Sequence, residues 1–540
     1  MFIIPVREDP ANPQPPEIYN WRVVAVAFAA AWGSAMFGYD SAFIGGTMAL
    51  PAFQNAWGLT EASDTERTAL SANIVSTTFT IMLIALSPSR LLLWGHSRLL
   101  HQRPLWTQMV PCRAGAIFNL GVTLQMIGGS IGLFYAGRGL TGIGVGSSSV
   151  VIPQYIAECA PANIRGGLVG LFEIALQIGA VCGYWVNYGV NQNISPDNSA
   201  QWRVPVGAQY IPATLLILGM LWAVESPRYS VASGKYAQAV KDLVWLRKLP
   251  AEHRLIQDTI ANIEHQVENE GGLVNQGGFR SVLRETFSGT VGPRLAVGIA
   301  IQLFQNFTGI NAVNYFSPTI FRSIGFTGTS VGLLATGVYG VVKTVFSTIS
   351  FLLLVDRFGR RPLLLIASVI CSFTMFYLGA FANLTDSFNG GAERNAASYS
   401  AIAMVYIFAV GYVSGWNLSW IVCSEIFPVK VRSFCLVCTT CSQWLGQFIV
   451  VYSTPYMIQS ISYGTFLFFG SMTVLAFIFV YTCVPETKGV SLEDMDILWQ
   501  DTKGLAHRKR KQFDEIVAAR MHERENEKLD QVGHIENSKE

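Results

Sequence analysis

The sequence predicts an all-α membrane protein: twelve transmembrane helices in two six-helix halves, with a cytoplasmic helical linker between them. Of its 540 residues, 51% are hydrophobic and only 13% are charged, whereas about 25% of residues are charged in soluble domains. The apolar residues are gathered into long runs, and a spanning helix needs about 20 of them. Twelve such runs can be placed along the chain.

The apolar runs fall into two sets of six. The first set covers residues 22–43, 71–93, 114–134, 138–158, 166–190 and 204–224. The second set covers residues 294–321, 330–355, 362–383, 398–422, 433–458 and 462–484. The predicted organisation is therefore an N-terminal tail (1–21), a first half (22–224), charged linker helices (225–293), a second half (294–484) and a C-terminal tail (485–540).

Positive charges in the short loops predict the orientation, because Lys and Arg resist translocation. One set of loops carries most of them: Arg165, Arg357, Arg360, Arg361, Lys430 and Arg432. Both termini are accordingly predicted to be cytoplasmic in a multi-pass protein. The glycosylation sequons at Asn193 and Asn383 then fall outside the cell.

Several classes of function are excluded. A net charge of +2 without a basic stripe argues against nucleic acid. Cys435, Cys438 and Cys441 lack nearby histidines or carboxylates suited to a metal, and no cofactor is predicted. No nucleophile with a base at usable spacing and no phosphate-binding loop is found, so the chain is not expected to be an enzyme.

Motifs along almost the whole chain resemble the sugar porter family of the major facilitators. They are Gly137–Gly146, Pro153–Glu158, Val224–Arg228, Gln305–Asn311, Asp356–Arg361, Ser424–Pro428 and Pro485–Gly489. The resemblance implies the major facilitator fold, in which two halves rock about a central site. Within this family, Gly415–Glu425 and Thr439–Phe448 look most like fungal quinate permeases. The implied partners are quinate or a sugar-like polyol, a proton and the lipid bilayer of the plasma membrane.

Asp40 and Arg138 are the candidates for proton coupling. A carboxylate deep in the first span is costly in lipid unless it is paired or protonated. An ion pair with Arg138 would favour the charged form and burial the neutral form. The matching residues in proton-coupled sugar porters imply symport, while a static structural pair is the alternative.

Polar residues within apolar spans are the candidates for substrate binding. Amides can both donate to and accept from alternating hydroxyls, and the resemblance assigns substrate contacts to Gln305, Asn306 and Asn311 in the seventh span. Gln443 is a further candidate, and Asn314 a weaker one. Glu173 stands where hexose porters carry a glutamine, which argues against a plain hexose site; a carboxylate facing a polar cavity or the loop is the other possibility.

The tenth span departs from the family at two positions. Trp416 and Asn417 replace a Gly-Pro pair, while Trp420 retains the matching aromatic and could stack on a cyclic polyol. Lys343 lies midway along the eighth span. A structural or snorkelling lysine is the favoured interpretation there, and contact with a substrate carboxylate is the alternative.

Charged residues at the cytoplasmic helix ends match the inner latch of the family, and the resemblance implies a gating role. They are Glu158, Arg165, Glu225, Arg228, Asp356, Arg360, Glu425 and Arg432. The first half lacks a counterpart of the motif Asp356–Arg361. Residues 79–113 contain no acidic residue and a single glycine, which suggests a gene-model artefact in this stretch.

Taken together, the sequence predicts proton-coupled import of quinate or a related cyclic polyol acid by alternating access. A proton-independent sugar facilitator and a nutrient receptor without transport remain open as alternatives.

Overall fold

Helices make up the regular secondary structure of the protein. The computed structural model describes residues 15–60, 62–77, 108–287, 289, 291–325, 328–385, 396–428, 431–488, 490, 495–500, 504–506 and 508–519. No strand occurs in these segments, which confirms the all-α prediction. Most of the unusual stretch 79–113 lies outside the described residues.

The described helices are numbered by their place in the predicted order. In the first half they are α1 (Trp21–Met48), α2 (64–77), α3 (Met109–Ile127), α4 (Ile131–Cys159), α5 (Arg165–Asn193), α6a (Ala200–Gly207) and α6b (Tyr210–Trp222). The linker helices are Pro227–Ala232, Tyr236–Arg247 and Arg254–Phe287. In the second half they are α7a (Val291–Phe307), α7b (Ile310–Ser323), α8 (Thr329–Ile349), α9 (Arg360–Leu384), α10a (Ala396–Gly415), α10b (Ser419–Glu425), α11 (Arg432–Ile461) and α12 (Gly464–Cys483).

Eight helical stretches in the described chain are long and apolar enough to cross a membrane. They are Pro16–Met48, Arg165–Asn193, Ala200–Trp222, Thr329–Leu354, Arg360–Leu384, Ala396–Glu425, Phe434–Ile461 and Gly464–Cys483. On α9, Ile366, Val369 and Phe373 form an exposed stripe at helical spacing, with more than half of each residue accessible. Such an apolar stripe is expected where a helix faces lipid, so the fold is that of a multi-pass membrane protein.

Three helices of the second half are interrupted within the described residues. Gly309 separates α7a from α7b with a φ of +90°, which glycine adopts without steric cost. A 3-10 turn at Trp416–Leu418 separates α10a from α10b. The residues after α8, Ser350–Leu354, form a π-helical turn, and Ser350 Oγ donates to the carbonyl oxygen of Ser414 at 3.1 Å. The turn in α8 therefore lies against the break in α10.

Helix packing in the two halves follows the same pattern. In the first half α1 packs on α5, and α3 packs on both α4 and α6b. In the second half α7a packs on α11, and α9 packs on both α10a and α12. Each pairing reappears six helices later, which is the internal symmetry expected of a duplicated six-helix unit.

The halves meet along α1 and α5 on one side and α7b, α8 and α11 on the other. Tyr315, Phe316 and Trp444 of the second half pack in the apolar core of the first half. Conversely, Ala42 and Tyr184 of the first half pack in the core of the second. The interface is thus continuous with both cores.

Glycines allow the close helix contacts that position this interface. A Cβ added at Gly38 of α1 would lie 1.9 Å from the carbonyl oxygen of Leu176 on α5. A Cβ at Gly179 of α5 would lie 2.2 Å from the carbonyl oxygen of Ala35 on α1. Because backbone atoms occupy the space, the two helices can approach this closely only through small residues.

Gly179→Ala is expected to destabilise the protein by about 1–3 kcal/mol, the usual effect of overpacking. Gly170→Ala is the matched control, because it lies on the same helix with no atom within 4 Å of the added Cβ. Thermal unfolding of the purified variants should show a lower midpoint for Gly179→Ala alone. Equal midpoints for the two variants would contradict the packing.

Candidate functional site

A buried ion pair joins two helices of the first half. Arg138 Nη1 on α4 lies 2.7 Å from Asp40 Oδ1 on α1, and both side chains are almost fully buried. The guanidinium also lies over the ring of Phe43, 5.6 Å from its centroid. The structure therefore brings the two predicted proton-coupling residues into direct contact.

The ion pair leaves part of the arginine unused. Nε and Nη2 of Arg138 are buried without a hydrogen-bond partner in the described part of the chain. A guanidinium has five N–H donors. Arg138 can therefore donate to a further oxygen atom, such as that of water, without breaking its contact with Asp40.

Tyr315 of α7b connects this ion pair to the second half. Its ring lies in the core of the first half, within electrostatic range of Asp40 and Arg138. Its hydroxyl accepts a hydrogen bond from Gln447 Nε2 at 3.1 Å. The backbones of α1 and α7b also lie close together at this point. A Cβ added at Gly45 of α1 would lie 2.1 Å from the carbonyl oxygen of Tyr315.

Amides of α7a, α7b and α11 form a hydrogen-bonded row. Asn306 Nδ2 donates to Gln443 Oε1 at 2.8 Å, and Asn311 Nδ2 donates to Asn306 Oδ1 at 2.6 Å. Three of the predicted substrate-binding residues are thus in one chain of contacts. Gln305 Oε1 is buried without a partner among the described residues, so this carbonyl oxygen is available to a ligand hydroxyl.

Glu173 forms a second polar group that crosses between the halves. Its Oε1 accepts from Gln177 Nε2 on α5 at 2.7 Å and from Asn417 Nδ2 at 3.0 Å. Asn417 can reach it because it lies in the 3-10 turn that interrupts α10. Two predicted substrate-binding residues from opposite halves are therefore in contact.

Lys343 of α8 lies beside this group. Its Nζ donates to Asn314 Oδ1 at 3.4 Å, and the same oxygen accepts from Tyr339 Oη at 2.8 Å. Lys343 and Glu173 are within electrostatic range of each other. Lys343 is only 7% exposed, so its ammonium is surrounded by protein atoms rather than by solvent.

The two tryptophans of the tenth helix differ in accessibility. Trp420 is 40% exposed, so its ring is open to a neighbouring molecule. Trp416 is fully buried, and its Nε1 has no hydrogen-bond partner among the described residues.

Three residues of the site were not singled out by sequence reasoning: Tyr339, Gln177 and Gln447. A signal for two of them was present, since Gln177 follows Glu173 and Gln447 follows Gln443 at the four-residue spacing of one helix face. Tyr339 gave no such signal, because a lone aromatic in an apolar run resembles ordinary packing.

Several of the predicted gating residues contact residues of their own half. Arg360 Nη2 pairs with Glu425 Oε1 at 2.9 Å. Glu158 accepts hydrogen bonds from Gln154 and from Ser226 Oγ. Arg432 donates to the carbonyl oxygen of Phe427. The Asp356 side chain lies outside the described residues.

Glu225 occupies a buried position at the start of the linker. Its Oε1 accepts from the backbone N–H groups of Gln108 and Ser226, each at 3.0 Å. Burial raises the pKa of the Glu225 carboxyl, with a smaller contribution from Asp242 in the same direction, while these two hydrogen bonds lower it. Arg165 and Arg228 are close enough to repel each other, and Glu158 lies near Arg165.

Hydrogen bonds between the halves extend from mid-depth to the end that is remote from the termini. Asn191 Nδ2 donates to Ser330 Oγ at 2.8 Å at that end. Tyr184 Oη donates to the Asn314 carbonyl at 3.5 Å, and Thr344 Oγ1 donates to the Gln177 carbonyl at 3.3 Å. The contact between Asn417 and Glu173, which lies nearer the end that carries the termini, also joins the two halves.

Two helix bundles with the same packing pattern and with polar groups where they meet are the architecture of a secondary transporter. The chain matches the family described as "Sugar (and other) transporter" over residues 26–499 and belongs to it. This confirms the predicted sugar porter family. The protein is a membrane transporter rather than an enzyme.

Fungal quinate permeases are among the most similar relatives. The chain is 39% identical over 518 residues to the quinate permease of Emericella nidulans, covering 94% of this chain and 93% of the relative. It is 38% identical over 510 residues to the probable quinate permease of Neosartorya fischeri, covering 93% and 91%.

Solved structures of a xylose transporter share the fold. The major facilitator proton:xylose symporter XylE bound to 6-bromo-6-deoxy-D-glucose gives a TM-score of 0.70 at 26% identity, covering 89% of this chain and 99% of that one. The partially occluded inward-open conformation of XylE from E. coli gives 0.71 at 25% identity, covering 87% and 100%. The fold is therefore that of the major facilitator superfamily.

Arg138→Met is expected to lower stability by about 3–5 kcal/mol, because it leaves the Asp40 carboxylate buried and unpaired. The double variant Asp40→Asn with Arg138→Met should recover part of this loss. Thermal unfolding of the single and double variants measures the coupling. Arg113→Met, at an exposed position of α3, is the control. Additive losses in the double variant would argue against a direct ion pair.

Proposed function

We propose that the chain imports quinate or a related cyclic polyol acid together with a proton, by alternating access in the plasma membrane. The observation that carries the proposal is the position of Tyr315. This residue lies within electrostatic range of the Asp40–Arg138 pair, and its hydroxyl binds Gln447, which is one turn from the amide row at Gln443. A change in the charge of the ion pair can therefore alter the position of Tyr315 and of the amides near Gln443.

Asp40 is the proton acceptor in this mechanism. The Arg138 guanidinium stabilises the carboxylate, whereas burial penalises the charge. Uptake of a proton by Asp40 weakens the pair and frees Arg138, whose Nε and Nη2 are already without partners among the described residues. The changed contact is transmitted through Tyr315 to α7b.

The amide groups bind the substrate hydroxyls. Gln305 and Gln177 each present a carbonyl oxygen that is unpartnered among the described residues, and each can accept from a hydroxyl. Asn306, Asn311 and Gln443 hold one another in place, which pre-organises the row. The open ring of Trp420 can cover the apolar face of a cyclic polyol.

In this proposal twelve helices span the bilayer, with both termini and the helical linker in the cytoplasm. The remote ends of α5 and α9, which carry Asn193 and Asn383, then face outside. Both asparagines are exposed. The charged residues at the opposite ends form the inner latch once the halves close there.

Uptake of labelled quinate, shikimate, glucose and xylose by a transporter-deficient yeast strain tests the proposal directly. Quinate is expected to accumulate, and a protonophore should abolish accumulation because the proton gradient drives it. Sugar uptake without quinate uptake would refute the assigned substrate.

Asp40→Asn is expected to abolish accumulation of quinate while leaving exchange between labelled and unlabelled substrate. The amide mimics the protonated carboxyl and cannot release a proton. Uptake that is insensitive both to this substitution and to the pH gradient would identify a proton-independent facilitator. Binding of quinate without flux would identify a receptor.

Asn193→Gln is expected to remove one glycan from the mature protein, because the remote loops face the secretory lumen during synthesis. Treatment with a glycosidase should increase gel mobility of the wild type, and by less for the variant. If Asn193→Gln and Asn383→Gln both migrate like the untreated wild type, neither site carries a glycan, and this topology loses the support of the two sequons.

A further inference from the structure

Lys343 is a buried ammonium without a carboxylate partner among the described residues. The residue is 7% exposed, and no acidic oxygen within the described chain lies within 4.0 Å of its Nζ. Its hydrogen bond goes to Asn314 Oδ1 at 3.4 Å. An ammonium has three donors, so most of its hydrogen-bonding capacity is unused.

The Asn314 oxygen is a weak partner for this charge. Tyr339 Oη donates to the same atom at 2.8 Å, which is the shorter contact. Burial of an ammonium costs several kcal/mol unless hydrogen bonds and an opposite charge compensate it. A shared neutral oxygen supplies only a small part of that compensation.

Glu173 is the nearby opposite charge, but neither of its carboxylate oxygens lies within 4.0 Å of the Lys343 Nζ. Its Oε1 accepts from Gln177 and Asn417. It also belongs to α5 of the first half, whereas Lys343 belongs to α8 of the second. Rocking of the halves changes the separation of the two charges, so Glu173 cannot be a permanent counter-ion.

The location of Lys343 argues against snorkelling. A snorkelling lysine extends its ammonium to water or to headgroups, whereas Nζ here contacts Asn314 inside the bundle. The next residue, Thr344, donates to the Gln177 carbonyl across the interface of the halves. Of the sequence-based interpretations, the geometry disfavours a snorkelling lysine and leaves a structural role and contact with a substrate carboxylate.

We propose that Lys343 binds the carboxylate of the transported substrate and selects monoanionic polyol acids over neutral polyols. This inference rests on the proposed function and deepens it. The substrate carboxylate supplies the missing opposite charge, while the amide row takes up the hydroxyls at the other end. Glu173 repels the carboxylate from the α5 side, which fixes the orientation of the substrate.

Binding to the purified protein tests the role of Lys343 separately from transport. Tryptophan fluorescence would measure the Kd of quinate and of its uncharged methyl ester. Lys343→Met should weaken quinate binding by about 10-fold or more, the scale of one charge-assisted hydrogen bond, without changing the Kd of the ester. Lys343→Arg should retain more quinate affinity than Lys343→Met.

Val345→Met is the matched control, since it places the same side chain two residues away on the exposed face of α8. Wild-type affinity for quinate in Lys343→Met, or an equal loss for quinate and the ester, would overturn the inference. Absence of quinate binding to the wild type would overturn it as well. Quinate binding that depends on Lys343 without accumulation in cells would support it and reject the proposed transport.

Discussion

The cost of charge in a low-dielectric interior constrains the whole structure. Asp40 and Arg138 lie at the centre of the first half, and their close contact offsets a desolvation penalty that neither could bear alone. Keeping them together requires α1 and α4 to hold a fixed register. The glycine contacts of α1 with α5, at Gly38 and Gly179, maintain the position of α1. Backbone packing thus serves an electrostatic requirement.

A second set of charges is arranged differently. Glu173 and Lys343 belong to opposite halves, and each is hydrogen-bonded to a neutral amide rather than to the other. The first pair is internal to one half, whereas the second set lies across the interface of the halves. In the proposed alternating-access mechanism, a rocking motion leaves the first pair intact and changes the electrostatic energy of the second set. The proposed mechanism therefore gives the two sets different tasks, one holding a proton and the other binding the substrate.

Much of this site could be predicted from the sequence, since a charge or amide within an apolar run is rare and costly. That rule identified Asp40, Arg138, Glu173 and the amides of the seventh helix, and motif order identified the family. The links between them could not be predicted. Tyr315 reaches the ion pair only because Gly45 lets α7b approach α1, and Asn417 reaches Glu173 only because α10 breaks there. Both depend on tertiary geometry rather than on local pattern.

The π-helical turn at Ser350–Leu354 has a consequence for the second half. A π turn accommodates one more residue than an α-helical turn, and one residue corresponds to about 100° of rotation around a helix. The basic end that begins at Arg357 is therefore rotated by about 100° around the helix axis, relative to the polar face that carries Lys343, from where a continuous α-helix would place it. This single extra residue reconciles an inward-pointing ammonium with a loop that must meet α10b and the C-terminal tail.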